Sequence, residues 1–366
     1  MNLPSHGANP YYLYEQMDIE PPHALIDFSA NINPLGPPKT LKNQWTSLYN
    51  TIQYYPDPKG RQLVKKIAEK ENIKEGQILL GNGAAELISL IGRMLFGKKV
   101  LLIQPTFSEY EQVCKVNNCE VSYYIVNDTD WMLNMEDLEA SLKGVHAVFL
   151  CNPNNPTGIY YKKKELLSLL QACKRNNSLL ILDEAFYDFV KGYEDMVPEL
   201  KHSPHLLILR SMTKMFSIPG IRLGYTIAAK EIIIKLASQQ THWSVNNIAL
   251  HAGLFLLEEE NFITDTLHYI ETEKNKLRIF YEKLAFKMTD SHANFYLLKD
   301  PTLDDQKAFF QFLLEEGIVA RHTYNYPGLN GKWLRFAIKN EQENEHLQGV
   351  IKKWVNNRHS FLLQAE

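Results

Sequence analysis

The chain has 366 residues, of which 45% are hydrophobic and 22% charged, a composition typical of a globular protein long enough for two domains. Its formal charge of only -3 gives no general excess of positive charge that would favour binding to nucleic acid or to an anionic membrane. No apolar run approaches the roughly 18 residues of a spanning helix, and the first residues lack a secretory leader pattern. We therefore expect a cytoplasmic protein that binds neither nucleic acid nor membrane.

The chain opens with a proline-rich stretch, residues 4–38, that is typical of an arm rather than of a domain. We assign residues 1–38 to an N-terminal arm that belongs to a smaller domain formed mainly by the C-terminal part. No internal repeat or low-complexity segment interrupts the sequence. Four cysteines without C-x-x-C spacing are too few for a disulfide scaffold, so we expect buried, reduced thiols, and we expect no metal site.

The middle of the chain alternates short apolar runs with helical patterns, which indicates an α/β domain with a mostly parallel central sheet. The predicted strands are Val100 to Gln104, Val145 to Cys151, Leu179 to Asp183 and Leu206 to Arg210. Leucines at helical spacing predict a helix from Lys162 to Arg175. We place this large domain at residues 39–260.

After residue 260 the pattern changes to a long amphipathic stretch, Phe262 to Lys287, which predicts a helix. Short strands are expected around Ala293 to Leu298 and Leu334 to Ile338, with a helix near Asp304 to Glu316. These elements predict a smaller α+β domain at residues 261–366.

Three loops carry polar side chains directly after predicted strands. The stretch Leu80 to Leu87 turns into a helix through Gly81 and Gly83, so its free backbone N–H groups suit a phosphate, although a plain chain reversal would look the same. The stretch Asn152 to Gly158 is stiffened by two prolines and aims an amide out of the sheet edge. Asp183 ends an apolar strand, where a carboxylate is either a helix cap or the partner of a cationic ring nitrogen.

Lys214 follows the strand that ends near Arg210, at the edge where open α/β sheets place their ligands. The hydroxyls of Ser211 and Thr213 and the guanidinium of Arg222 are suited to hold a phosphate beside its amine. A lysine in this setting is suited to carry a cofactor.

Taken in order, these motifs resemble those of the fold-type I pyridoxal-5'-phosphate enzymes of the aminotransferase class I and II family, over nearly the whole chain. The resemblance implies that Lys214 forms the imine link to pyridoxal 5'-phosphate and later moves the proton. It implies that Asp183 pairs with the ring nitrogen, that Asn155 donates to the ring's 3-oxygen and that Phe107 stacks on the ring, with Tyr110 as second choice. The implied cofactor-phosphate contacts are Gly83, Ala84, Ala85, Ser211, Thr213 and Arg222.

The same resemblance implies a homodimer with shared active sites, because Tyr55 is similar to the tyrosine that reaches the phosphate of the neighbouring subunit. One departure concerns Phe186, which stands where many aminotransferases have a tyrosine that helps to hold the 3-oxygen. The next residue, Tyr187, is expected to point elsewhere if the segment is extended.

Further stretches resemble the threonine-phosphate decarboxylases of cobalamin biosynthesis, whose nearest relatives are the histidinol-phosphate aminotransferases. The stretches are Ser5 to Asn9, Asp27 to Gly36, Asp183 to Phe186, Trp243 to Asn246 and Tyr326 to Leu329; Ala8 departs from the family pattern His-Gly-Gly-Asn. The implied substrate contacts are Arg335, Arg321, Asn33 and His6, and which arginine holds the carboxylate and which the phosphate stays open.

We therefore expect decarboxylation of a small phosphorylated amino acid, with transfer of an amino group to 2-oxoglutarate as the alternative. Both reactions begin from the same cofactor chemistry, and the bond that lies perpendicular to the ring decides between them. A transcription regulator of the same fold would carry an N-terminal winged-helix domain, for which we expect no room before the arm.

Overall fold

The computed structural model describes residues 3–4 and 6–365, so Ser5 of the predicted arm motif and the arm's first two residues lie outside it. The strands, in chain order, are β1 (Ile26–Asp27), β2 (Ile78–Gly81), β3 (Lys99–Gln104), β4 (Glu120–Ile125), β5 (Ala147–Cys151), β6 (Leu179–Asp183), β7 (Leu206–Ser211), β8 (Gly224–Ala228), β9 (Lys287–Met288), β10 (Phe295–Lys299), β11 (Ile318–Val319), β12 (Arg321–His322) and β13 (Leu334–Ala337).

The α-helices are α1 (Pro10–Met17), α2 (Lys39–Asn43), α3 (Trp45–Tyr49), α4 (Arg61–Glu71), α5 (Gly83–Met94), α6 (Glu109–Val116), α7 (Met135–Ala140), α8 (Lys163–Arg175), α9 (Lys230–Ala237), α10 (Asn247–Leu256), α11 (Glu260–Lys283), α12 (Lys307–Glu315) and α13 (Glu341–Ala365). Short 3-10 helices lie at Glu75–Gln77, Tyr187–Phe189 and Val197–Lys201.

The central sheet has seven strands in the order β2-β8-β7-β6-β5-β3-β4. All neighbours pair in parallel except those of β8, which runs antiparallel to both β2 and β7. This architecture confirms the predicted α/β fold with a mostly parallel sheet. Because parallel strands follow one another in the same direction, the carboxyl ends of β3, β5, β6 and β7 meet at one edge.

Both faces of this sheet are covered, which explains why its strands read as continuous apolar runs rather than as alternating ones. On β3, Val100 and Leu102 pack with Leu87 and Ile91 of α5 in one apolar cluster. The intervening Leu101 and Ile103 belong to the cluster on the other face, which also takes in the leucines of α8. The helical spacing noted at residues 162–175 is therefore the buried face of α8.

A second, antiparallel sheet in the order β12-β13-β10-β9 lies in the C-terminal part of the chain. The arm is tied to this part, since β1 pairs in parallel with β11 in the register Ile26↔Ile318. The predicted limit at residue 260 coincides with the start of α11, and the division into arm, large domain and small domain remains our proposal.

The four cysteines are free thiols, and three of them are buried. Within residues 3–4 and 6–365, no helix combines the length and the apolar character needed to cross a membrane.

Candidate active site

A cavity of about 320 Å³ opens at the carboxyl edge of the central sheet, a volume suited to a small ligand. It is lined by side chains from the arm, the central sheet and the C-terminal sheet. Among the residues predicted from the sequence, the structure brings together His6, Ala84, Ala85, Phe107, Asn155, Asp183, Ser211, Thr213, Lys214, Arg222, Arg321 and Arg335.

Lys214 lies three residues beyond β7, in the loop that returns to β8. Burial lowers the pKa of its amine to about 8, and the positive charges of Arg335 and Arg222 act in the same direction, while Asp183 opposes them. A larger share of the amine is therefore neutral near physiological pH than in an exposed lysine. A neutral lysine amine is the form that attacks a carbonyl or accepts a proton.

Asp183 is the last residue of β6 and is buried. Its Oδ1 accepts the backbone N–H of Ala185 at 2.9 Å, and its Oδ2 accepts the hydroxyl of Tyr110 at 2.5 Å. Burial raises the pKa of the Asp183 carboxyl, and these two hydrogen bonds and the charge of Lys214 oppose that rise. The carboxylate is thus fixed in orientation and available to a cationic group.

The loop after β5 uses two of its asparagines as braces and presents the third to the cavity. Asn152 donates to the carbonyl of Tyr161 at 3.0 Å and accepts the backbone N–H of Tyr161 at 2.7 Å. Asn154 donates to the carbonyl of Pro105 at 3.0 Å and accepts the hydroxyl of Thr157 at 2.8 Å. Asn155 instead lines the cavity, where its Oδ1 accepts a hydrogen bond from Arg335.

Four groups form a cradle of hydrogen-bond donors and positive charge where α5 begins. The helix N-terminus points its free N–H groups toward the cavity beside Ala84 and Ala85. The hydroxyls of Ser211 and Thr213 lie 2.8 Å apart, and Arg222 adds a guanidinium. Gly83 has a φ of +74°, and a Cβ there would lie 2.3 Å from Arg222, so glycine is what lets the guanidinium approach the helix end.

Arg321 and Arg335 face each other directly on the neighbouring strands β12 and β13 and both line the cavity. Arg335 donates to Asn155 at 2.5 Å and to the carbonyl of Ser29 at 2.6 Å, while Arg321 donates to Asn325 at 2.7 Å and lies over the ring of Tyr326. Burial lowers the pKa of Arg335 to about 10, and the charge of Arg321 contributes. Two buried like charges side by side favour a bound anion.

The arm closes one side of the cavity. The Nε2 of His6 lies 2.7 Å from a carboxylate oxygen of Glu109, and the His6 ring meets the edge of Phe107 at 5.8 Å. Ala8 has a φ of +71°, the left-handed conformation that favours glycine, and its N–H donates to Ser29 Oγ at 2.9 Å. Alanine at this position therefore costs backbone strain.

Phe186 is buried and lines the cavity, with its ring edge against Phe295 at 4.9 Å. Tyr187 does not replace the missing phenol, since it packs under the guanidinium of Arg210, 4.2 Å from the ring centre. The segment Tyr187–Phe189 is a 3-10 helix rather than the extended chain that we considered.

Three of the predicted residues do not line the cavity. Gly83 acts through the position of Arg222, and Tyr55 is 82% exposed beside Trp243. Asn33 is tied into the scaffold, where its amide donates to the carbonyl of Met215 at 2.7 Å and to Thr266 at 2.8 Å. We therefore regard Asn33 as a brace of the Lys214 loop rather than as a substrate contact.

Sequence reasoning missed Asn31, two residues before Asn33. Asn31 lines the cavity, is buried, and its Oδ1 has no hydrogen-bond partner among the described residues. It also missed Tyr326, which lines the cavity beside Arg321. Both lie in stretches that resemble the threonine-phosphate decarboxylases, but the sequence alone does not say which side chain of a loop faces inward.

The cavity thus combines a lysine of lowered pKa, a buried carboxylate on the neighbouring strand and an anion cradle at a helix N-terminus. These groups fit pyridoxal 5'-phosphate, with Lys214 for its aldehyde, Asp183 for its ring nitrogen and the cradle for its phosphate. Fold and site together define a pyridoxal-phosphate-dependent enzyme of fold type I.

Comparison with known proteins supports this assignment. Residues 23–351 match the family described as aminotransferase class I and II, and the chain belongs to that family. Threonine-phosphate decarboxylase of Salmonella typhimurium is 34% identical over 95% of this chain and 96% of its own.

Two solved structures share the fold. The histidinol-phosphate aminotransferase of Clostridium acetobutylicum superposes with a TM-score of 0.85 at 34% identity, covering 91% of this chain and 100% of the other. The histidinol-phosphate aminotransferase of Sinorhizobium meliloti, solved with pyridoxal-5'-phosphate, gives 0.84 at 18% identity over 97% and 96% of the two chains.

Proposed function

We propose that this protein decarboxylates L-threonine O-3-phosphate to (R)-1-amino-2-propanol O-2-phosphate, as a step of cobalamin biosynthesis. The observation that carries the proposal is the pair Arg321 and Arg335, two buried guanidinium groups opposite each other in a cavity where we assign a third, Arg222, to the cofactor phosphate. The 34% identity to a threonine-phosphate decarboxylase over nearly the whole chain supports it.

The substrate carries two anionic groups, a carboxylate and a phosphate, and the two arginines offer one cation to each. Arg335 is held by neutral acceptors, and its Nε is buried without a partner among the described residues. A bidentate anion bound there satisfies that donor and relieves the repulsion between the guanidinium groups. Asn31 and His6 line the same cavity and are candidates for further contacts with the phosphate.

When bound, pyridoxal 5'-phosphate supplies an electron sink for the electron pair left behind when a bond to the substrate's α-carbon breaks. The residues of the chain orient the substrate and supply the proton. Arg321 and Arg335 fix the two anionic ends, and thereby decide which bond of the α-carbon lies perpendicular to the ring. Lys214, whose pKa of about 8 leaves it able to hold or release a proton near neutral pH, delivers a proton to that carbon after carbon dioxide has left.

The second candidate is transfer of the amino group from histidinol phosphate to 2-oxoglutarate. The observation in its favour is the histidinol-phosphate aminotransferase of Clostridium acetobutylicum, which is also 34% identical to this chain. The two reactions need the same lysine and the same cofactor contacts, so the cofactor site alone does not separate them.

The test is a pair of assays on the purified holoenzyme. With L-threonine O-3-phosphate and no 2-oxoglutarate, we expect carbon dioxide release, and we expect L-threonine without its phosphate to be a much poorer substrate. Histidinol phosphate with 2-oxoglutarate should give no glutamate. Glutamate formation from histidinol phosphate without any carbon dioxide from threonine phosphate would reverse the assignment. The variant Lys214→Ala serves as the inactive control in both assays.

We also propose that the enzyme acts as a homodimer with shared active sites. Tyr55 is exposed and lies against the exposed Trp243, with ring centres 5.1 Å apart and the rings tilted by 41°. Ile52 and Tyr54 of the same segment are exposed as well, and Asn247 fixes that segment by donating to the carbonyls of Thr51 and Tyr54. A rigid apolar surface of this kind is suited to a second copy of the chain.

A further inference from the structure

The phenol of Tyr110 occupies a distinctive place beneath the cavity. Tyr110 lies on α6 and is completely buried, with its ring stacked on Phe149 of β5 at 5.0 Å and in edge contact with Phe107 at 5.8 Å. Its hydroxyl donates to Oδ2 of Asp183 at 2.5 Å. The ring is thus held on two sides, so the direction of this hydrogen bond is fixed by packing.

The hydroxyl acts on a carboxylate that has few other partners among the described residues. The groups that bear on Asp183 are the hydroxyl of Tyr110, the backbone N–H of Ala185, the amine of Lys214 and the thiol of Cys151 on β5. Burial raises the pKa of Asp183, and the hydrogen bond from Tyr110 is the largest of the opposing influences. Burial also raises the pKa of the Tyr110 phenol well above its ordinary value, so it stays a neutral donor, and it raises the pKa of the Cys151 thiol.

We propose that Tyr110 is a positioning residue that keeps Asp183 oriented and ionised for the ring nitrogen of the cofactor. Its hydroxyl occupies one lone pair of Oδ2 and Ala185 one of Oδ1, which leaves an open lone pair on each oxygen for a cationic ring nitrogen. A charge-assisted hydrogen bond to a buried carboxylate stabilises its ionised form.

The hydrogen bond from Tyr110 to Asp183 matters more in this chain because Phe186 has no hydroxyl. Phe186 offers no donor to the cofactor from its side of the cavity, and Tyr326, the other phenol that lines the cavity, lies under Arg321. Among the described residues, Tyr110 is therefore the tyrosine whose hydroxyl is fixed beside Asp183, the proposed partner of the ring nitrogen. The inference rests on the cofactor assignment and not on which substrate is decarboxylated.

The test is the variant Tyr110→Phe, which removes the hydroxyl and keeps the ring. We follow the visible absorbance of the holoenzyme as a function of pH, without substrate. If Asp183 becomes neutral more readily, the ring nitrogen loses its positive charge, and the nitrogen that joins Lys214 to the cofactor keeps its proton to a higher pH. The apparent pKa of the visible band should therefore rise by about one unit, and the affinity for pyridoxal 5'-phosphate should fall by about tenfold.

Tyr281→Phe is the matched control, because Tyr281 is equally buried and its hydroxyl pairs with Tyr296 at 2.7 Å, away from the cavity. The control should leave both quantities unchanged. In an Asp183→Asn background, where no ionised carboxylate remains, Tyr110→Phe should have no further effect on cofactor affinity. The proposal is overturned if Tyr110→Phe behaves like the control, or if its effect is as large in the Asp183→Asn background. Neither result bears on the choice between decarboxylation and amino transfer.

Discussion

At the scale of single residues, the site is built by burying charges that repel one another around one lysine. Burial and the charges of Arg335 and Arg222 lower the pKa of Lys214, and Asp183 opposes them. Such an arrangement favours reactivity at the expense of stability, because the folded protein must hold cations that water would solvate better.

The burial of the Lys214 amine predicts that the unfolding free energy of the cofactor-free protein depends on pH. The pKa is lowered from 10.5 to about 8 in the folded state, so the unfolded chain binds more protons between these values and stability rises with pH across that window. The variant Lys214→Met has no such group. Relative to that variant, the wild type should gain about 3 kcal/mol of unfolding free energy between pH 8 and pH 10.5, as measured by urea denaturation. A difference that does not change with pH would contradict the lowered pKa.

Phe186 gives the second prediction at this scale. Phe186→Tyr places a phenol in the cavity, where it can donate a hydrogen bond to the ring's 3-oxygen. That oxygen then holds the proton that it shares with the Lys214 nitrogen less firmly. The apparent pKa of the visible band should fall by about one unit, the opposite direction to Tyr110→Phe. Phe186→Leu removes the ring without adding a hydroxyl and serves as control. If Phe186→Tyr and Phe186→Leu shift the band alike, packing rather than the hydroxyl is responsible.

The sequence predicted the residues whose chemistry follows from their place after a strand, and it failed for residues in irregular loops. Lys214, Asp183 and Asn155 follow β7, β6 and β5, and all three line the cavity. Asn31 and Asn33 lie in a stretch without strand alternation, so nothing in the sequence separates the inward side chain from the bracing one. The partner of the Tyr110 hydroxyl is likewise a product of tertiary packing.

At the scale of elements, neighbouring strand ends carry the groups that line the cavity, and a buried ion network behind them holds those ends together. Arg210, next to Ser211 on β7, pairs with Glu184, next to Asp183 on β6, at 2.9 Å. It also pairs with Asp195 at 3.0 Å and Glu71 at 2.7 Å. The alternation of side chains along a strand puts these charges on the face away from the cavity, where they hold Ser211 and Asp183 in place beside each other.

This network should be indispensable for stability. Arg210→Leu leaves Glu184 and Glu71 buried without their cation and should lower the unfolding free energy by about 3–5 kcal/mol. The matched control is Arg175→Leu, which breaks the exposed pair with Glu139 and should cost far less stability, because water solvates both charges when the pair is broken. Urea denaturation of both variants measures the difference. Equal losses would show that the buried network contributes no more than a surface pair.

The sequence predicted the strands β3, β5, β6 and β7 and the helix α8 within a few residues, because each is a continuous apolar run or a regular helical pattern. It did not predict the antiparallel direction of β8 or the pairing of β1 with β11. Strand direction and long-range pairing depend on how the chain returns across the sheet, which no local pattern encodes.

At the scale of the whole molecule, the proposed dimer predicts complementation between two defective chains. Tyr55 lies on the surface, outside the cavity of its own chain, so in a shared site it serves the partner. Refolding Lys214→Ala together with Tyr55→Ala gives mixed dimers in which one site has both defects and the other has none. With random pairing, half of the dimers are mixed, and activity per chain should reach about a quarter of the wild-type value above the residual activity of Tyr55→Ala.

Complementation is measured against the activities of the two variants refolded separately. In a second control, Tyr49→Ala takes the place of Tyr55→Ala, to show the effect of removing another exposed aromatic side chain. Absence of any recovery in mixtures that contain mixed dimers would show that each chain builds its site alone.

The claim that this enzyme removes carbon dioxide from its substrate rather than transferring the amino group is tested most directly by following the amino nitrogen. The holoenzyme is incubated with L-threonine O-3-phosphate labelled with ¹⁵N and with unlabelled 2-oxoglutarate, and the products are analysed by mass spectrometry. Decarboxylation predicts that all of the label stays in an amino alcohol phosphate, with one carbon dioxide released for each substrate consumed. Label recovered in glutamate, together with a keto acid that keeps its carboxylate, would contradict the account.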